Sequence, residues 1–264
     1  MTIRFSGAFV AFVLLVATTS VARAQNADEV PSRTRVILGP QLVPSYPGSD
    51  RFNIRPFVDV SRARGDEPFA FEAADEGFAV PLFQSSGFSV GPALGFQGKR
   101  SRGDVGGALP SVGFTVEVGG FVQYQLVPSV RLRTEIRRGF GGHKGLIGTL
   151  GADYLRRDAD RWLFSIGPRV TLANDRYQRA YFGVRPGDAA GAGLPAFNAK
   201  GGVESIGLVA GFNRQISARW GVFTYAKYDR LVDDASRSPV VRRFGSRDQP
   251  SGGIALTYTF GARR

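Results

Sequence analysis

Residues 113–138 alternate apolar and polar side chains through two successive runs, and this alternation constrains the fold more than any other feature. From Gly113 to Val127, Phe114, Val116, Val118, Val122, Tyr124 and Leu126 share one parity. Thr115, Glu117, Gly119, Gln123 and Gln125 share the other, with Phe121 the exception. Residues 130–138 repeat the pattern: Val130, Leu132, Thr134 and Ile136 alternate with Arg131, Arg133, Glu135 and Arg137. A helix would spread those four charges around its circumference, whereas a strand sets them on one side. Each run is therefore a strand with one apolar and one charged face.

The same period recurs along the chain. It is clear at 52–61, 88–97, 162–172 and 254–260, and noisier at 33–44, 68–73, 77–83, 145–157, 203–215 and 218–231. These runs predict twelve antiparallel strands. Residues 68–83 read either as two short strands or as one irregular segment, which lowers the count to ten or eleven. Tight connections at 63–67, 84–87, 127–129, 157–161 and 216–217 alternate with longer ones at 45–51, 74–76, 98–112, 139–144, 173–202 and 232–250. Short turns on one rim and long loops on the other are the pattern of a transmembrane β-barrel. An even strand count returns both termini to the periplasmic side.

A soluble sandwich or lipocalin-like barrel also alternates, but with its apolar face inward. Parity alone does not separate the two. Strand length, loop alternation and the aromatic last strand favour the membrane barrel. So does the N-terminus, where basic Met1–Arg4, apolar Phe5–Val16 and Ala22-Arg23-Ala24 spell a secretory signal peptide cleaved before Gln25. The expected organisation is a signal peptide at 1–24, a flexible segment at 25–33, a barrel at 34–260 and a tail at 261–264. No stretch past residue 24 is apolar for the roughly 18 residues of a helical span. Glycine, at 35 of 264 residues, and 21 phenylalanines suit strands and turns.

Composition also excludes chemistry. Without cysteine there is no disulfide, thiolate metal site, iron–sulfur cluster or thiol nucleophile. The single histidine, His143, rules out a His-cluster metal site. It sits among Gly and Lys with no flanking serine, so a loop histidine bonded to a strand end explains it better than a general base. Asp233-Asp234 reads as a solvated loop pair before a cation site. Gly106-Gly107 and Gly141-Gly142 lack the strand–loop–helix setting of a phosphate cradle and read as turns. No enzyme, cofactor or metal is expected.

Several loops are specific in order and spacing: Tyr46-Pro47-Gly48-Ser49-Asp50, residues 87–95, Arg138–Gly145 with Gly142, His143 and Gly145, and Asn174-Asp175-Arg176-Tyr177. Tyr181–Val184, Gly193–Phe197, Ser238–Val241 and Gly245-Ser246-Arg247-Asp248-Gln249 follow. Together they resemble the MipA/OmpV family of outer-membrane proteins over about residues 34–260. The resemblance implies a non-enzymatic barrel in the outer membrane of a Gram-negative bacterium. It also implies a scaffold for a lytic transglycosylase and a murein synthase. The sequence departs from usual barrel endings in that Phe260 is followed by Gly261-Ala262-Arg263-Arg264.

The formal charge of +12, carried mostly by arginine, suits lipopolysaccharide phosphates rather than nucleic acid at that location. Arg55, Asp59, Glu117, Arg131, Arg133, Glu135, Arg137 and Arg169 are expected to line the lumen. A turn centred near Pro128 sets Arg133 opposite Gln123 and leaves Glu117 diagonal to Arg137, within reach of a side chain. The ladder is expected to stay net positive. The alternative function is therefore a narrow, mildly anion-preferring pore.

Overall fold

A computed structural model describes residues 31–261; the expected signal peptide, residues 25–30 of the expected flexible segment and residues 262–264 lie outside them. Strand β1 (Ser32–Pro44) pairs with β2 (Phe52–Arg64), and the short strands β3 (Phe78–Ala79) and β4 (Phe83–Ser85) both lie on β5 (Phe88–Gln97). Then follow β6 (Thr115–Val127), β7 (Val130–Gly141), β8 (Leu146–Asp158), β9 (Trp162–Ala173), β10 (Gly202–Gln215), β11 (Trp220–Leu231) and β12 (Asp248–Phe260). The sheet runs β2-β1-β12-β11-β10-β9-β8-β7-β6-β5-β3, antiparallel at each pair. Pairing of β1 with β12, Thr34 opposite Phe260, curls it into a nearly closed barrel. Both strand ends thus meet at the rim that carries the short turns.

The faces are those of a membrane barrel. The apolar parity points outward: Val118 is 47% exposed, Ile136 58% and Leu256 59%. The charged parity points inward: Glu117 is 2% exposed and Arg131 1%. A soluble barrel would reverse this. Aromatic residues cluster near both rims, as interfacial girdles do. Trp220, Tyr258 and Phe260 stack edge to face at 4.7 Å each by the short turns. Phe96 and Phe114 stack at 6.1 Å toward the long loops. Phe121, out of phase in the sequence, faces inward with the Arg133 guanidinium 4.0 Å from its ring centroid.

One expected strand is absent. Residues 68–73 form no strand; instead 66–77 climb through the lumen from the short-turn rim and deliver Asp75 and Glu76 to its cations. Buried cations outbid a place in the wall for an acidic segment. Segment 74–76 is accordingly a lumen element and not a long-rim loop. Residues 78–85 are one irregular strand: Pro81 breaks the ladder, while Val80 N–H and Leu82 N–H still donate to Pro92 and Val90 carbonyls at 3.2 and 3.0 Å. Because 66–77 run upward inside, β2 and β3–β4 both run toward the short-turn rim. They leave a seam with no backbone pairing among the described residues.

The long loops pack on one another over the other rim. They carry α1 (Asp175–Phe182), α2 (Pro186–Ala192), α3 (Asp233–Arg237), α4 (Pro239–Phe244) and a short 3-10 helix, Arg102–Val105. Their apolar side chains, among them Tyr46, Leu109, Tyr177, Phe182, Leu231 and Val241, form the main apolar core. Within the barrel wall lipid takes most of the apolar face, and the inward side keeps a small cluster of Ile37, Phe223, Tyr225 and Ala255.

Val118→Arg is expected to cost about 2–4 kcal/mol if it lies at mid-depth, as cations on a lipid face do. Gln123→Glu, on the lumen face beside Arg133, should leave assembly intact. Folding into lipid vesicles, followed by the heat-modifiable gel shift, checks both.

Candidate functional site in the barrel lumen

Alternate positions of neighbouring strands place charges on one inner surface, and these link into a continuous chain. Lys227 Nζ lies 3.3 Å from Asp75 and 2.9 Å from Asp229. Arg169 joins Asp75 at 3.0 Å and Asp153 at 2.7 Å. Arg131 takes Asp153 at 2.6 Å and also Glu76. Arg133 pairs with Glu135 at 2.7 Å and donates to the Gln123 side-chain oxygen at 2.9 Å. Arg137 bridges Glu135 and Glu117, the latter at 2.9 Å. The register follows the turn: Gln123 faces Arg133 and Gly119 faces Arg137.

The ladder is not net positive. The five cations Lys227, Arg169, Arg131, Arg133 and Arg137 meet the six carboxylates Asp75, Glu76, Asp153, Asp229, Glu117 and Glu135. Sequence reasoning missed Asp75, Glu76, Asp153, Lys227 and Asp229. The last three lie on the inner parity of strands that were noisier in sequence, so alternation held the signal. Asp75 and Glu76 carried none, because they read as a loop. Arg55 stands apart from this chain, donating to the Ser45 carbonyl at 2.9 Å near the long-loop rim. Asp59 lies beside Glu72 of the lumen segment, near enough for the two carboxyl groups to interact.

His143 closes the chain at the upper end. Its Nδ1 accepts from Gly145 N–H at 3.1 Å, so the ring proton sits on Nε2 and donates to Glu117 Oε1 at 3.0 Å. Both ring nitrogens are occupied and the ring is fully buried, edge-on to Tyr177 at 4.8 Å. No nitrogen is left to activate a nucleophile. The glycines around it make room: a Cβ on Gly139 would stand 2.2 Å from the imidazole.

The other motif loops lock the cap. Gly48 N–H donates to Gln249 Oε1 at 3.0 Å, while Gln249 Nε2 donates to the carbonyls of Ser49 and Ser246. Ser49 and Gly245 form an isolated bridge, and Tyr46 and Ser49 are buried. Asp50, Arg176 and Arg247 are exposed. Asn174 caps α1 by accepting from Tyr177 N–H at 3.1 Å. Burial beside Glu204 holds the Tyr177 phenol well above its ordinary range. The amide of Gly201 and then Arg179 hold the Asp175 carboxyl below the usual carboxylate range. Asp234 accepts from Lys200 N–H and Arg237, serving the loop itself. Arg100, unremarked in sequence, is buried and donates to the Tyr181 and Pro110 carbonyls at 2.6 and 3.0 Å, tying the 98–114 loop to α1.

Between the lumen segment and β7–β9 a cavity of about 20 Å³ remains, lined by Asp75, Glu76, Arg133, Glu135, Arg137, Thr149, Gly151 and Arg169. That holds about one water molecule.

Arg131→Ala removes one of two cationic partners from each of Asp153 and Glu76, leaving Asp153 with Arg169 and Glu76 with the more distant Arg133. It is expected to cost about 3–5 kcal/mol, as breaking a buried pair does; denaturant titration of the refolded barrel measures it. Gly139→Ala is expected to cost about 1–3 kcal/mol by overpacking the imidazole, and His143→Ala in the same chain should recover part of that loss. Since Asp175 has its carboxyl depressed, its contribution is full above about pH 4 and is lost as pH falls through the lower folded value. Exchange protection of the Gly201 amide should therefore persist at pH 5 (about one unit above the free carboxylate) and vanish in stronger acid.

Comparison with curated proteins finds none that matches. Among solved structures, the NanC porin aligns at 10% identity over 85% of this chain and 98% of its own, with a TM-score of 0.42. An outer membrane channel from Pseudomonas putida F1 aligns at 8% identity over 90% and 100%, with a TM-score of 0.40. OmpT, an outer membrane protein of Vibrio cholerae, aligns at 8% identity over 90% and 99%, with a TM-score of 0.35. The profile described as MltA-interacting protein MipA matches residues 36–260, taking in the barrel and every motif loop, and so the chain belongs to the MipA family.

Proposed function

We propose that this protein is a closed, non-enzymatic outer-membrane barrel that acts as a scaffold for murein-processing enzymes. The carrying observation is the occupied lumen, where the 66–77 segment runs inside the wall and ties Asp75 and Glu76 into the charge chain. A barrel without a path for solute works through its rims. The long-loop rim is sealed by its own apolar core. The short-turn rim, which holds both strand ends, exposes Arg62, Arg64, Arg156, Arg161, Arg214 and Arg219 against the exposed acids Asp66, Glu67 and Asp158, the last paired with Arg161 at 3.3 Å. On this reading it faces the periplasm and presents a basic surface to a partner and to phospholipid headgroups. The lipopolysaccharide leaflet then surrounds the long-loop rim. The family description names an interaction with MltA, which fits a lytic transglycosylase and a murein synthase as partners.

The test has two parts. In planar bilayers the wild-type protein is expected to show no stepwise conductance; steady anion-selective channels would favour the pore reading instead. The folded barrel in detergent is expected to retain a purified lytic transglycosylase on affinity resin. Arg156→Glu with Arg219→Glu should weaken that retention while leaving the heat-modifiable fold intact. No retention by the wild type overturns the scaffold.

A further inference from the structure

We propose that residues 67–77 are a displaceable twelfth strand, and that the barrel has a second, ion-conducting state in which this segment leaves the lumen and closes the seam. The inference rests on the closed lumen described above and on no murein partner.

Four observations converge. First, β2 has a partner on one edge only. Its 13 residues pair with β1, and the opposite edge meets no strand among the described residues. An unpaired edge in a membrane wall leaves backbone groups unsatisfied in hydrocarbon. Second, the direction is right. β2 and β3–β4 both run toward the short-turn rim, and 67–77 run upward between them in sequence. Among the described residues, that segment lies between the two strands in sequence and runs antiparallel to both. Third, the turn is already made. Glu67 N–H donates to the Arg64 carbonyl at 3.0 Å, and Gly65 has φ of 53°, as the first central residue of a two-residue hairpin turn requires.

Fourth, the register that turn dictates is already met on the inner face. A hairpin closed at Arg64 and Glu67 sets Asp59 opposite Glu72 and Phe57 opposite Ala74. In the structure Asp59 and Glu72 are close enough for their carboxyl groups to interact. Phe57 and Ala74 pack on one cluster with Ile37, Phe223, Tyr225 and Ala255. The segment thus lies beneath its own slot, and moving into the wall needs no rethreading. On the outer face the same register sets Phe69, Phe71 and Ala73 beside Arg62, Val60 and Val58. This extends the apolar parity of the exterior.

Ring contacts and ion pairs hold the segment inside. Phe69 lies under the guanidinium groups of Arg33 and Arg35, at 5.0 and 4.4 Å. Arg131 covers Phe71 at 4.3 Å. Asp75 is the latch. It shares the parity of Phe71, so insertion would turn its carboxylate outward and away from Arg169 and Lys227. The two states are alternatives: a plugged lumen with an open seam, or a complete twelve-stranded wall around an open lumen.

Cysteine pairing tests this cleanly, because the chain has no cysteine of its own. In the described state Val60 faces lipid while Phe71 points across the lumen, so Val60→Cys/Phe71→Cys bridges only when the strand is in the wall. Oxidation of the folded variant in vesicles is expected to form the bridge. It should also switch on stepwise conductance that reductant abolishes. Adding Asp75→Asn/Glu76→Gln should accelerate bridging. No bridge in a protein that keeps its heat-modifiable fold overturns the proposal, and so does a bridged protein that conducts no ions. If the pair fails to fold, Ala73→Cys serves alone. Its labelling by a membrane-soluble thiol reagent should speed up in the Asp75→Asn/Glu76→Gln background, and an unchanged rate also overturns the proposal. Conductance of the untreated wild type would instead count against the closed-scaffold reading, which separates the two tests.

Discussion

The chain of charges from Lys227 through Asp75, Arg169, Asp153, Arg131, Glu76, Arg133, Glu135 and Arg137 to Glu117 and His143 is the interaction on which the rest depends. Each group in it is desolvated, and such a group is tolerable only when its partners are in place. The strands alone supply five cations against Asp153, Asp229, Glu117 and Glu135. Asp75 and Glu76 turn that excess of one cation into an excess of one carboxylate and give Lys227, Arg169, Arg131 and Arg133 a further partner. They come from a segment that gives up its place in the wall to bring them. The plugged lumen and the open seam are thus two results of one electrostatic requirement.

The rest of the architecture follows from where apolar surface can go. In the wall, lipid takes the outward parity, so the strands keep only a small inward apolar cluster around Ile37 and Phe223. Above the membrane the loops have no lipid and must bury Tyr46, Tyr177, Phe182 and Val241 against one another. The motif residues divide accordingly. Gly48, Ser49, Gly245, Ser246, His143 and Gly145 are spent on holding loops together through buried hydrogen bonds. Their arrangement is that of a cap. His143, which in sequence invites a catalytic reading, has both nitrogens committed to Gly145 and Glu117.

Much of this was legible. Alternation located the long strands and told the charged face from the apolar one. The turn at Pro128 set the pairing of Gln123 with Arg133 and the reach of Arg137 to Glu117. Which face pointed inward was not legible from parity, since a soluble barrel uses the same alternation reversed. Phe121 looked like noise until Arg133 was seen lying over it.

Residues 68–73 mark the limit. Phe69, Phe71 and Ala73 alternate with Ala70 and Glu72 as a strand should, and the turn before them is a hairpin turn. Local pattern alone determined that this stretch is strand-competent, because period two depends only on neighbours in the chain. Its actual place was decided by Arg169 and Lys227, contributed by β9 and β11, which meet Asp75 only once the barrel has curled. Periodicity is a local property and the sequence states it directly. Charge balance inside a closed lumen is a sum over strands far apart in the chain, and only the tertiary structure performs that sum.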